Sequence, residues 1–325
     1  MLLINNPSTD AYFNLAAEEY LLLSRGEEVF MLWRNDNTVV VGVNQSTLSE
    51  INYEEVCRRD VKVVRRMTGG GAVFHDLGNI NYTFISNSRT DVLADFRRFA
   101  QPITDALALL GVNAVLSGRN DLEIDGKKFS GNAQCVKNGR LLHHGTLLFS
   151  SDISGLSQVL RVSPEKISSK GVKSVRSRVT NISSHLKKEM TVLQFEDFLS
   201  DYAEKTLSLQ PYSFSDEDIR AIERLRDEKY STWDWNYGSS PQYAFSGEKR
   251  FPAGSVRVSF NVTDGKISDC SIRGDFFSRL DISGLEAQLN SQPHNEKFIS
   301  DALTCADVGL YIIGVTKEQL LVCMF

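Results

Sequence analysis

Arg-Arg-Met-Thr-Gly-Gly-Gly-Ala-Val-Phe-His-Asp, residues 65–76, brings two guanidiniums, a hydroxyl and three consecutive glycines between two apolar runs. Such a run is conformationally costly, because glycine loses the most backbone freedom on folding. What it gains is close approach: bare peptide N–H groups can line a concave nest for an anion such as phosphate. The stretch is not a P-loop, which needs Gly-x4-Gly-Lys-Ser/Thr opening a helix. Nor is it a dinucleotide fingerprint, which needs Gly-x-Gly-x-x-Gly at a helix start. Here the glycines join two strands. Arg65 and Arg66 are neighbours in an extended run and point to opposite faces, so only one can serve a ligand on a given side.

The same alternation argues against metal chelation by His75–Asp76 or by His143–His144, since adjacent strand residues face apart. Five cysteines, at 57, 135, 270, 305 and 323, include no Cys-x-x-Cys pair, so neither a zinc knuckle nor a disulfide framework is expected. An odd number of isolated thiols fits a reducing, cytoplasmic setting.

The elements that must position these residues read as follows. Thr9 or Asp10 caps a helix through about Ser24. VFMLWRN (29–35) and TVVVGVN (38–44) read as a hairpin, and SEINYEEVCRRD (49–60) as a short helix. VKVVRR (61–66) is a strand leading into the glycines; AVFHD (72–76) and NINYTFIS (79–86) are strands beyond them. A helix over 91–111 ends at Gly111, suited to a left-handed cap. Short strands follow, with the dipeptides Asp125-Gly126 and Asn138-Gly139 marking tight hairpin tips. Helices are expected over 191–209 and 216–233. Residues 236–251 read as a linker rich in turn formers, followed by a hairpin (SVRVSFNV–TDG–KISDCSIRG) and short helices.

The chain's 325 residues exceed what one core usually holds, and two domains are expected, 1–246 and 247–325. A 42% apolar, 24% charged composition is that of an ordered globular protein, and a net charge of −5 argues against nucleic acid as the partner. No run approaches the ~18 apolar residues of a membrane span, and MLLINNPSTD has no basic or long apolar region typical of a signal peptide.

RRMTGGGAVFHD resembles the signature of the lipoate–protein ligase A family, and further stretches match in the family's order. GRNDLEIDGKKFSGNAQ (118–134) carries a Lys-x-x-Gly-x-Ala element at Lys128, Gly131 and Ala133. HHGTLLF (143–149), GVKSVRSRVTNI (171–182) and STWDWNYG (231–238) follow. The resemblance covers residues 1–245 well and extends more weakly to the remainder. It implies an α+β fold: mixed sheets flanked by helices, biotin/lipoate ligase-like, with a small α/β C-terminal accessory domain. It also implies ATP- and Mg²⁺-dependent activation of lipoate to lipoyl-AMP. The acyl group then passes to a lysine of a lipoyl domain, in 2-oxoacid dehydrogenase acyltransferase subunits or the glycine-cleavage H protein.

That chemistry needs a cation. A carboxylate brought to about 4 Å from a phosphate is repelled by roughly 4 kcal/mol at an effective dielectric near 20. The resemblance assigns this bridging role to Lys128, whose compact ammonium can contact both groups. It implies nucleotide contacts from Arg66, from Gly71, Ala72, Val73 and Phe74, and from Asn120 and Asp121, the last also a Mg²⁺ ligand. Lipoate would lie against Gly69, Gly70, Val41, Gly42 and His144, with Val40 and Val43 as further candidates for the apolar wall. Gly171, Val172, Ser174, Val175 and Arg176 would form the adenylate-binding loop, within a basic stretch (161–188) expected to order over the adenylate.

Two other readings stay open at this level. An ATP-independent octanoyl or lipoyl transferase would use Cys135 as nucleophile. A non-enzymatic lipoate-binding module would bind the acyl group without activating it.

Overall fold

The computed structural model describes residues 1–87, 95–118, 120–153, 158–160, 179–237, 245–263, 266–294 and 296–325. Contacts divide the chain into two compact units. The first comprises residues 1–40, 51–65 and 73–236; the second comprises 41–50, 66–72 and 237–325. The C-terminal segment 237–325 thus shares its unit with two short segments from the N-terminal half.

In the first unit an eight-stranded mixed sheet has the order β11-β1-β2-β6-β10-β9-β8-β7. Its strands are β1 (Leu2–Asn5), β2 (Val29–Trp33), β6 (Asn79–Ser86), β7 (Ala114–Ser117), β8 (Asp121–Ile124), β9 (Lys127–Lys137), β10 (Arg140–Leu148) and β11 (Gln210–Pro211). β1 runs parallel to β2 and β11, and the remaining neighbours are antiparallel. Both interior strands β2 and β6 are buried along their whole length. α1 (Ala11–Ser24) starts at Asp10, whose carboxylate accepts from the Tyr12 N–H, and α4 (Phe96–Leu109) ends where Gly111 takes φ 77°. The mixed strands and segregated helices make the fold α+β.

The hairpin expected from residues 29–44 does not form. β2 pairs with β1 and β6, whereas β3 (Thr38–Val41) lies in a separate three-stranded sheet between β4 (Lys62–Arg65) and β5 (Val73–His75). Asn37, at φ 36°, turns the chain out of the large sheet, and its backbone carbonyl accepts from Lys62 N. The two expected hairpin tips do form: Asp125-Gly126 and Asn138-Gly139 have φ of 51°, 72°, 50° and 72°. Both residues are left-handed in each tip, the turn that matches strand twist.

Between β3 and β4 lie α2 (Thr47–Glu50) and α3 (Tyr53–Arg58). α5 (Val192–Leu207) begins with a reciprocal Thr191–Gln194 capping box. α6 (Asp216–Leu225) continues into a wide helical turn, Arg226–Tyr230, before α7 (Trp233–Asn236).

In the second unit β12 (Phe245–Phe251), β13 (Gly254–Thr263) and β14 (Lys266–Gly274) form an antiparallel sheet. Helices α8 (Ile282–Leu289), α9 (Glu296–Ala306), α10 (Val308–Tyr311) and α11 (Lys317–Leu321) complete a core around Phe260, Ile272, Phe276 and Leu285. Among the described residues, no helix is long and apolar enough to cross a membrane.

Candidate functional site

Lys128 sits near the start of β9, across from β8. Regular alternation would put Lys128 and Gly131 on opposite faces, because they are three residues apart. The pairing does not stay regular: Asp121 opposes Gly131 and Leu122 opposes Ser130, but Glu123 opposes Lys128. Phe129 is therefore an extra residue, a β-bulge, and bulges re-aim side chains. Phe129 and Ser130 both bury, while Lys128 swings onto the face of Asp121 and Gly131. The Lys128 Nζ lies 2.7 Å from Asp121 Oδ1, both side chains about one-third exposed. A Cβ on Gly131 would stand 3.0 Å from that Nζ and 3.2 Å from Cε. The glycine of Lys-x-x-Gly thus vacates the space the ammonium crosses. A half-exposed pair of this kind contributes little to stability and chiefly orients the ammonium.

The opposite face of β9 and β10 holds a buried polar cluster. Asn132 Oδ1 accepts from Tyr82 Oη–H and, at 3.2 Å, from His143 Nε2. The Gln134 amide donates to His143 Nδ1 at 3.0 Å, which fixes the neutral tautomer with its proton on Nε2. Burial, and secondarily His144, push the His143 pKa well below its ordinary value. Its ring stacks on Phe99 at 4.9 Å. His144 faces the other way, with Nδ1 3.0 Å from the buried Glu18 carboxylate, which also accepts from Thr83 Oγ1 at 2.5 Å.

Asn120, expected at the nucleotide, is engaged with the strand: its Nδ2 donates to the Asn132 carbonyl at 2.5 Å. Val73 and Phe74, half-exposed in β5, pair with Val40 and Val39 of β3. Arg65 is bound into the same unit, its Nε donating to Trp235 O and its backbone N–H to Asn236 Oδ1, each at 2.9 Å.

In the second unit the glycine corner is built around Arg66. Its guanidinium donates to Thr68 Oγ1 at 2.9 Å and to the carbonyls of Gly69 and Gly71 at 2.8 and 2.9 Å. In this state the side chain organises the corner's own backbone. Gly69 has no room for a side chain: a Cβ would stand 3.1 Å from Phe277 Cα and overlap the Phe276 carbonyl. Gly70, at φ 94°, donates to that carbonyl at 3.4 Å. Gly42 abuts the Gly70 carbonyl, and Val41 O accepts from Arg66 N at 3.0 Å. Around Gly71 there is open space, and Gly71 and Ala72 are partly exposed. Backbone here is open to a ligand, whereas at Gly69 and Gly70 the gap is filled by the chain itself. The residues expected in the adenylate-binding loop, Gly171, Val172, Ser174, Val175 and Arg176, lie outside the described residues.

Cys135, the nucleophile of the transferase reading, is buried in β9, and that burial pushes its thiol up to about 12. A thiol so placed stays protonated, and the thiolate is the nucleophile.

Sequence reasoning missed Asn132, Tyr82 and Glu18. Glu18 had a faint signal, a carboxylate beside the apolar run of α1. Asn132 and Tyr82 had none, because their contact joins positions 50 residues apart.

Residues 10–204 match the lipoyl protein ligase A/B catalytic domain family, and residues 240–324 match the bacterial lipoate protein ligase C-terminus. The lipoate-protein ligase LplJ of Bacillus subtilis (strain 168) is 41% identical, across 99% of both chains. Among solved structures, the bi-partite lipoate protein ligase described with its E2 lipoyl domain from Thermoplasma acidophilum has a TM-score of 0.65 at 28% identity, covering 75% of this chain and 98% of that one. A lipoate-protein ligase A bound with ATP has a TM-score of 0.63 at 26% identity, covering 73% and 97%. The half-exposed lysine, the glycine that makes room for it and the glycine corner occur on a fold and along a sequence shared with these enzymes, and the chain belongs to the lipoate–protein ligase family.

Proposed function

We propose that this ligase joins lipoate to ATP and then to protein. In the first step a lipoate carboxylate oxygen attacks the α-phosphorus of ATP. The new C–O–P linkage is lipoyl-AMP, and pyrophosphate leaves. In the second, the neutral amine of an acceptor lysine attacks the acyl carbon, AMP leaves, and the amine's surplus proton passes to solvent. No covalent bond to the enzyme is required, so the work of the chain is positioning and charge stabilisation.

The observation that carries this reading is the Lys128 ammonium, reachable from solvent and steered by Asp121 over the gap at Gly131. It can neutralise the approaching carboxylate and phosphate together. Open backbone at Gly71 and Ala72 supports a nucleotide contact there, and Arg66 holds that backbone in shape. Val41, Gly42 and His144 remain our candidates for the lipoate side, and Gly69 and Gly70, closed by Phe276 and Phe277, would contribute only by shaping the corner. Gly171, Val172, Ser174, Val175 and Arg176 remain our candidates for binding the adenylate. The ATP-bound relative supports the choice of nucleotide, and the Thermoplasma structure supports a lipoyl domain as acceptor. Acyltransferase subunits of 2-oxoacid dehydrogenases and the glycine-cleavage H protein carry such domains and are the acceptors we propose.

Mg²⁺ would shield phosphate charge. Among the described residues no three His, Cys, Asp or Glu groups gather to hold a metal, so Asp121 would hold it together with phosphate oxygens and water. Lipoate-dependent exchange of pyrophosphate into ATP tests the first step directly. Lys128→Ala should abolish exchange while leaving circular dichroism and the thermal midpoint near wild type; wild-type exchange in that variant would overturn the assignment.

A further inference from the structure

We propose that Asn132 is a positioning residue for the Lys128–Asp121 pair, a role that rests on the reading of Lys128 above. Asn132 clasps Asn120 three times. Its backbone N–H and its Nδ2 both donate to Asn120 O, at 2.9 and 3.1 Å, and its carbonyl accepts from Asn120 Nδ2 at 2.5 Å. Asn120 immediately precedes Asp121, and Asn132 immediately follows Gly131. The clasp therefore fixes the register in which Asp121 opposes Gly131, the register that carries the Lys128 ammonium to the carboxylate.

The clasp is itself held from below. Asn132 Oδ1 is the shared acceptor for Tyr82 and His143, both buried, so the amide cannot rotate without orphaning two donors. Gly145, directly across in β10, leaves the space that amide needs: a Cβ there would stand 2.6 Å from the Tyr82 ring and overlap Asn132 Oδ1. Three pieces of sequence acquire one purpose: the Asn of Ser-Gly-Asn-Ala, the His143 and Gly145 of His-His-Gly-Thr, and Tyr82.

Lys127 provides an internal standard, since it is exposed and next in sequence. Brief treatment of the full chain with an amine-acetylating ester, read by peptide mass spectrometry, gives a Lys128/Lys127 labelling ratio. A side chain held against Asp121 and Gly131 is less reachable by the reagent than a released one. Asn132→Ala and Tyr82→Phe should each raise the ratio at least about threefold, toward that of Asp121→Ala. Adding either substitution to Asp121→Ala should raise it no further. Exchange kcat should fall about tenfold in Asn132→Ala, with KM for lipoate within about twofold. Should Asn132→Ala fail to fold, Tyr82→Phe carries the test alone. An unchanged ratio in a folded variant, or a further rise in the double variant, overturns the proposal. Exchange surviving in Lys128→Ala would instead overturn the reading beneath it.

Discussion

Gly131 and Lys128 share one face of β9 only because Phe129 is inserted between them as a bulge, and the ammonium of one occupies the side-chain space of the other. The relationship explains why a glycine stands three residues after the lysine, and it gives the first prediction. In Gly131→Ala the new methyl would meet Nζ at 3.0 Å, a contact the flexible lysine relieves by moving. Stability should change by less than about 1 kcal/mol, because the displaced group is a side-chain tip. Exchange should fall about 10- to 100-fold, the cost of misplacing a reacting group. Normal exchange with an unchanged thermal midpoint would show that the ammonium's position is not critical.

The three glycines of the corner should behave unequally. Gly69→Ala forces a methyl into the backbone of Phe276 and Phe277, which cannot yield as a side chain does, and should destabilise the second unit by about 1–3 kcal/mol. Gly71→Ala meets nothing and needs no left-handed φ, so the thermal midpoint should hold or rise slightly. If the Gly71 backbone approaches nucleotide, KM for ATP should nevertheless rise in Gly71→Ala. Equal thermal midpoints for the two variants would contradict the packing described here.

His143 should make the fold acid-sensitive near neutrality. Its pKa is depressed in the folded chain by burial, so the unfolded chain binds the extra proton first, near the ordinary value of about 6.5. Stability from this group is fully present above that pH and declines as pH falls below it, by up to about 1.4 kcal/mol per pH unit. Urea unfolding of wild type and His143→Gln between pH 7.5 and 5 should show a shallower decline in the variant. Parallel profiles would mean that His143 is not buried neutral.

Cys135→Ala separates the ligase from a thiol-dependent transferase. The thiol is a buried filler in β9 with its pKa pushed up by desolvation. Its removal should cost about 1 kcal/mol of packing and leave lipoate-dependent exchange within about twofold. Loss of all acyl transfer in a folded Cys135→Ala protein would restore the covalent route.

Local chemistry made much of the fold legible. Asp125-Gly126 and Asn138-Gly139 specified their turns outright, Gly111 ended its helix, and β6 has the bounds read from NINYTFIS. The failures were non-local. Nothing in residues 29–44 says that their two β segments belong to different sheets, because the partners, β1 and β6 for one and β4 and β5 for the other, all lie outside that stretch. Lys128 stood out through its motif, but its carboxylate partner depends on a bulge that the alternation of Lys-Lys-Phe-Ser-Gly conceals. Nor does the sequence reveal that Arg66, read as a phosphate contact, also donates to the carbonyls of Gly69 and Gly71 in its own corner.

The second unit is stitched from three pieces of chain, with Gly69 and Gly70 seated on Phe276 and Phe277. A stop codon after residue 236 would therefore remove more than an appendage: it would strip the seat from the signature itself. A lineage that cut such a gene in two would need both products made together, each bringing half of the scaffold around the glycines.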